Sequence, residues 1–228
     1  MVSHKHKCIF VHVPKVAGQS IESFFLEDLG LNWESRRPLL LMHNSESEIG
    51  PPKLAHLLAE DYVKYHYISQ DLFNDYFKFT FVRNPFDRAY SFYKYLGFSE
   101  FLSFDDFILN KFKDESLISN YWFIRPQYDY IYSNGNCLVD FIGKFENIQS
   151  DFLHVATKLN LEKKLPHKNI SKTSSGFKRK LQLISNNFKF LPLLFNKPHS
   201  KKFVMSDDSR QILIDFYLKD FKYFNYNY

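Results

Sequence analysis

Apolar positions in this chain come in short strand-length runs and in helical stripes, separated by polar segments rich in Pro and Gly. The run "KCIFVHV" (7–13) has the length and β-branched content of a strand. "SIESFFLEDLG" (20–30) places apolar residues at helical spacing and stops at Gly30. Residues 31–52, with Pro38, Gly50, Pro51 and Pro52, read as loop. "AEDYVKYH" (59–66) reads as a helix, and "FKFTFVRN" (77–84) alternates and then turns apolar, as a buried strand does. "PFDRAYSFYKYLG" (85–97) is a helix capped by Asn84, with Pro85 in its first position and Gly97 past its end. "SFDDFILNKF" (103–112) is another capped helix, and "LVDFIGKFE" (138–146) is strand-like. "SDFLHVATKLNL" (150–161) and "DDSRQILIDFYLKDFKYF" (207–224) are each expected to be one helix. Strands alternating with helices predict an α/β fold with a central, mainly parallel sheet flanked by helices.

Composition sharpens this picture. At 228 residues, 45% hydrophobic and 24% charged, the chain fits a single globular domain over 1–228. Aromatic residues make up 19%, so the core is expected to be built from Phe and Tyr. No stretch approaches the roughly 18 uninterrupted apolar residues of a membrane span, and the first ten residues lack the apolar region of a secretion signal. Cytoplasmic residence is the expectation. Cys8 and Cys137 are too far apart to suggest a disulfide framework or a metal spacing, and both read as buried small apolar side chains.

The charge is unevenly placed. Residues 171–202 hold eight Lys and Arg and no acidic residue, so the remainder of the +5 chain is net negative by three. This segment also contains the apolar "FKFLPLLF", and it reads as a basic insertion that covers an anionic glycan, lies on a membrane surface near a lipid-linked acceptor, or packs on the domain. No nucleic-acid recognition motif accompanies it.

Chemistry concentrates in two stretches. In "HVPKVAGQS" (12–20) a strand runs through a Pro-Lys-Gly turn into a helix. The amides of Gly18, Gln19 and Ser20 then sit at a helix N-terminus, where free N–H groups and the helix dipole favour an anion. Lys15 adds a mobile positive charge. The G-x-x-x-x-G-K-[ST] spacing of an ordinary nucleotide loop is absent. The second stretch, "FKFTFVRNPFDRAYSFYKYL", puts Arg83 at the C-terminal end of a strand, where open α/β sheets bind ligands. Ser91 follows about two turns into the next helix, and Arg88 lies on a neighbouring face. Either stretch alone is compatible with an ordinary turn, cap or salt bridge.

Together the two are specific. "HVPKVAGQS" resembles the 5′-phosphosulfate loop of the sulfotransferases, and "FVRNPFDRAYSFY" resembles their 3′-phosphate motif, with Arg83 and Ser91 at the matching positions. The closer likeness is to the group that includes the carbohydrate 2-O-sulfotransferases. "KLAHLLAEDY", "RPQYDYI", "DFIGKFENIQSDF", "LPHKNIS" and "FYLKDFKYFNY" extend the resemblance from about residue 8 to 226, interrupted by the basic insertion. It implies a three-layer, P-loop-like fold and transfer of the sulfuryl group of 3′-phosphoadenosine 5′-phosphosulfate (PAPS) to a carbohydrate hydroxyl by in-line displacement, with no metal. It implies donor contacts from Lys15, Val16, Ala17, Gly18, Gln19, Ser20, Arg83 and Ser91, with Lys168, Asn169 and Lys172 closing over the 3′-phosphate. The same resemblance makes Lys15 and His56 the catalytic pair, and His56, Gln127 and Tyr128 the acceptor side, with a capping role for Gln127 and core packing for Tyr128 as the alternatives. Phe145 and Glu146 read as structural, His12 as shaping the loop, and His43 as part of a polar stretch. "HKH" (4–6) reads as an unstructured end. Where the family pattern has a small hydroxyl residue this chain has Gln19, which keeps the backbone N–H and removes one phosphate contact.

Two other classes stay open at this point. One is a nucleotide-binding module that keeps the fold without transfer; the retained Lys15, Ser20, Arg83, Ser91 and His56 argue against it. The other is a P-loop kinase-like phosphotransferase, which the missing Walker pair argues against.

Overall fold

The computed structural model describes residues 1–112, 121–162, 165, 191 and 203–228. The residues Lys168, Asn169 and Lys172 and almost all of the basic segment lie outside these. The chain divides into two compact units, Met1–Arg83 with Pro126–Asn169, and Asn84–Arg125 with Ile170–Tyr228.

The first unit carries the sheet. Its strands are β1 (Val2–Ser3), β2 (Cys8–Val11), β3 (Phe77–Val82) and β6 (Phe141–Lys144), in the order β1-β2-β3-β6. β2 and β3 pair in parallel with Val11 opposite Thr80, and β3 and β6 pair in parallel with Val82 opposite Lys144. Only the two-residue β1 is antiparallel to its neighbour. Parallel register brings the C-terminal ends of β2, β3 and β6 to one edge, so the loop after Val11, Arg83 and Phe145 all leave the sheet there. Both central strands are buried along nearly their whole length, as their continuous apolar runs require. The core is aromatic as expected: Phe79 stacks on Phe10 at 5.2 Å and packs on Phe25 and Phe81. Helix α1 (Gly18–Asp28) follows β2, and the helix Ile148–Lys158 follows β6, with Phe24 and Phe152 in edge contact between them.

Several details depart from the sequence expectation. The "HKH" segment is an ordered turn joining β1 to β2, in which His6 bonds both Ser3 Oγ and Asp28. "AEDYVKYH" forms only the short α2 (Asp61–Lys64), ended by His66 at φ 59. A further helix, α3 (Gln70–Asp75), is capped by Ser69. Between Pro126 and β6 a hairpin joins β4 (Tyr132–Ser133) to β5 (Asn136–Cys137) through Asn134 and Gly135, both at positive φ. The Asn-Gly pair is a strong hairpin signal. It places Cys137 on a two-residue edge strand, so this cysteine is exposed rather than buried. Cys8 is buried as expected, and burial pushes its thiol up to about 12, so it stays an inert apolar side chain.

The second unit is helical. Its α4 (Pro85–Leu96) begins at the Asn84 cap, whose Oδ1 accepts from the Phe86 and Asp87 amides, and ends at Gly97 at φ 86. α5 (Phe104–Asn110) packs in the same aromatic cluster, built from Phe92, Tyr93, Phe104, Phe107 and Phe112. Arg88 is wholly buried, donates to the carbonyls of Phe123 and Arg125 at 3.2 and 2.9 Å, and lies over the Tyr217 ring. Its role is structural: it neutralises the C-terminal carbonyls of the short helix Tyr121–Ile124. The single helix expected over 207–224 is two helices, Asp207–Phe216 and Leu218–Tyr223. The break falls at Tyr217, whose buried hydroxyl donates to the Ile124 carbonyl at 2.7 Å.

Candidate functional site

The loop after β2 enters α1 through two residues in the left-handed region, Lys15 at φ 72 and Ala17 at φ 65. Ala17 is the N-cap, offers no side-chain cap, and no acidic residue occupies the first turn. The helix therefore presents an uncompensated positive end. The first helical amides, those of Gly18 and Gln19, have no intrahelical acceptor. Ser20 differs from the expectation: its amide donates to the Ala17 carbonyl at 3.0 Å, closing a turn inside the loop. That leaves Ser20 its hydroxyl, on a residue that is itself buried, whereas the Gln19 position is exposed. Val16 is wholly buried and anchors the loop.

Gly18 has a reason that its sequence position alone conceals. A Cβ there would overlap the His12 ring. Glycine at this point makes room for a histidine ring. Gly18→Ala should therefore force the ring or the helix start to shift, costing about 1–3 kcal/mol as overpacking does. A lowered melting temperature is the expected result, and a wild-type value would refute it.

Arg83 follows the last residue of β3 and is brought to the same loop. Its Nη1 donates to the Lys15 carbonyl at 3.5 Å, and its guanidinium lies over the Phe145 ring at 4.2 Å. Gln127 holds the backbone beneath it. The Gln127 amide accepts from Arg83 N–H at 2.9 Å and donates to the Arg83 carbonyl at 2.8 Å, and the side chain is fully buried. The sequence places Gln127 on the acceptor side; in the fold it clamps Arg83 at the sheet edge. Tyr128 is buried and stacks on Tyr132 at 4.4 Å. Phe145, expected to be structural, forms the floor under the guanidinium.

His56 lies on the turn Leu54–His56, partly exposed, and its Nδ1 bonds the His12 carbonyl at 3.0 Å. A carbonyl can only accept, so Nδ1 carries the proton and Nε2 keeps a lone pair. Burial, and next the adjacent His12, hold the His56 imidazole well below the usual histidine range, so it is neutral at pH 7. A neutral imidazole protonated at Nδ1 carries its basic lone pair on Nε2. The exposed His43 accepts from Lys53 Nζ at 2.7 Å.

The first unit thus brings together Lys15, the Gly18 and Gln19 amides, Arg83, Gln127 and His56. Ser91 belongs to the second unit, partly buried on α4. The residue that sequence reasoning missed is Glu22, buried beside His12. Its signal is a carboxylate at helical spacing between Gly18 and Phe25, on the stripe that packs inward. Among the described residues, no group of three or more His, Cys, Asp or Glu is placed to hold a metal ion, and no helix is long and apolar enough to cross a membrane.

The model of the sulfotransferase family matches residues 1–227. An uncharacterized protein of Archaeoglobus fulgidus is 33% identical over 103 residues, covering 43% of this chain and 79% of that protein. No solved structure gives a significant match. With nearly its whole length matched by the family model, the chain belongs to the sulfotransferase family.

Proposed function

We propose that this member of the sulfotransferase family uses PAPS as its donor and a carbohydrate hydroxyl, in a polysaccharide or glycolipid, as its acceptor. The observation that carries the reading is the meeting of two anion-binding elements at one sheet edge, where the Arg83 guanidinium reaches the carbonyl of Lys15. The residues present suit such a donor. An uncapped helix start and two cations match two anionic groups better than a neutral ligand, and the loop lacks the carboxylates that a magnesium–nucleotide complex would use. Bound PAPS would supply a sulfuryl group on a phosphate leaving group.

The chain's own residues divide the work. Lys15 and the Gly18 and Gln19 amides stabilise negative charge where it develops at the loop. Arg83, with its backbone held by Gln127 and its guanidinium lying over the Phe145 ring, binds phosphate bidentately. His56 Nε2 accepts the proton of the attacking hydroxyl. Ser91, Lys168, Asn169 and Lys172 join the donor site, and Tyr128 the acceptor side, on the sequence resemblance alone. A three-layer, P-loop-like arrangement, cytoplasmic residence, and an anionic or lipid-linked acceptor approached at a membrane surface belong to the same reading.

Calorimetric titration with 3′-phosphoadenosine 5′-phosphate (PAP), AMP and ATP tests it. Binding that depends on the 3′-phosphate is expected, and Arg83→Ala should weaken it by about 1.5–3 kcal/mol, the worth of a charged hydrogen bond. No binding, or a preference for ATP, would sink the proposal.

A further inference from the structure

Behind the anion loop stand two buried titratable side chains to which the scheme above gives no task. Glu22 is 1% exposed on α1, and His12 is 5% exposed just past β2. The Glu22 carboxylate accepts from His12 Nδ1 at 2.5 Å. Burying a carboxylate this deeply is costly unless it is paired and hydrogen-bonded. The fold goes further and builds a seat for its partner ring. Phe10 stacks on one side of His12 at 5.4 Å, His56 lies against it at 4.3 Å between ring centroids, and Gly18 omits the Cβ that would overlap it.

His12 thereby links two orienting bonds in series. Its ring gives the Nδ1 proton to Glu22, and its peptide carbonyl takes the Nδ1 proton of His56. The two histidine rings also touch, with their planes tilted by 53°. We propose that Glu22, acting through His12, is the positioning residue that holds His56 in its Nδ1–H tautomer with Nε2 presented as proton acceptor. This rests on the reading of His56 as the base. The other titratable groups nearby are the Tyr62 hydroxyl on α2 and the Met1 nitrogen, which feel the Glu22 charge, and Lys53, whose charge acts on His56. Tyr62 and the Met1 nitrogen both bond the Phe10 carbonyl, and the Met1 nitrogen also bonds the Tyr62 hydroxyl.

The experiment is ¹⁵N NMR of the imidazoles in the full chain without nucleotide or acceptor, followed by pH profiles of transfer. In the wild type, His56 should show a protonated Nδ1 and an unprotonated Nε2. Glu22→Gln keeps an acceptor for His12 and should preserve that pattern. Glu22→Leu removes it and should mix the His56 tautomers. Turnover should then fall on the order of tenfold or more, as loss of an orienting partner does elsewhere, with PAP affinity within about twofold, since none of the donor contacts is touched. A wild-type His56 protonated at Nε2 overturns the proposal even if Glu22→Leu does not fold. So does a folded Glu22→Leu protein with the wild-type tautomer and pH profile. A wild type that shows the expected tautomers yet binds no PAP overturns the sulfotransferase reading and leaves the positioning chain standing.

Discussion

Lys15→Ala should lower sulfuryl transfer by about 10²–10³-fold, roughly 2.7–4 kcal/mol of transition-state stabilisation, while PAP still binds within a few-fold of wild type. The separation follows from where the charge acts. Interactions that strengthen only as charge builds on the transferred group raise the rate without tightening the ground-state complex. PAP carries no sulfuryl group, so a lysine devoted to that group is nearly silent in PAP binding. The backbone supports such a role. Lys15 and Ala17 both occupy the left-handed region at φ 72 and 65, which costs non-glycine residues about 1–2 kcal/mol each. The loop is held in that shape by the buried Val13 and Val16 and by the turn from Ser20 N–H to the Ala17 carbonyl. Single-turnover kinetics beside calorimetry gives the two numbers. Equal losses in rate and PAP affinity would make Lys15 an ordinary phosphate ligand, and a normal rate would remove it from the mechanism.

The second large effect is expected at His56. Its replacement by alanine should cost about 10²–10⁴-fold in turnover, the usual worth of a positioned base, with PAP affinity preserved. The pH dependence offers a sharper test. A base must be unprotonated to act, and the folded protein holds the His56 imidazole well below the ordinary value near 6.5 through burial and the adjacent His12. The neutral form therefore survives to lower pH than in a free histidine. Turnover should stay level from pH 8 down through 6.5 and fall only on further acidification. A profile that already falls through 6.5 or higher on the way down would contradict the environment described for this ring. A His56→Ala protein with unchanged turnover across pH 6 to 8 would assign the base elsewhere.

Features encoded by neighbours along the chain were readable in advance. The strand–loop–helix of Cys8–Asp28, the Asn84–Pro85 helix start and the apolar runs of β2 and β3 depend on local spacing, capping and turn chemistry. A mainly parallel sheet followed from the alternation of strands with helices, and β2 and β3 do pair in parallel. Local rules went wrong where a distant contact outweighed propensity. The helix over 207–224 breaks at Tyr217, whose hydroxyl is committed to Ile124. The Ser20 amide, free in a generic helix start, closes on Ala17 because the loop is left-handed at that point. The Asn134–Gly135 hairpin is a miss of another sort, since its signal was local and went unread.

The candidate site divides along the same line. The sequence by itself determined that a helix start preceded by Lys15 and an arginine at a strand end were present, because each is a short-range pattern of residue types, and the family resemblance singled out His56. Only the tertiary structure decided what those residues do to one another. Gln127 turned from an acceptor-side candidate into the clamp of Arg83, 44 residues away. Gly18 proved to be the seat of a histidine ring, and Glu22 entered as that ring's anchor. The orientation of His56 comes from the carbonyl of His12, also 44 positions distant. Hydrogen bonds, burial and ring contacts are set by distances in space, and a one-dimensional pattern carries those distances only across a few neighbouring residues.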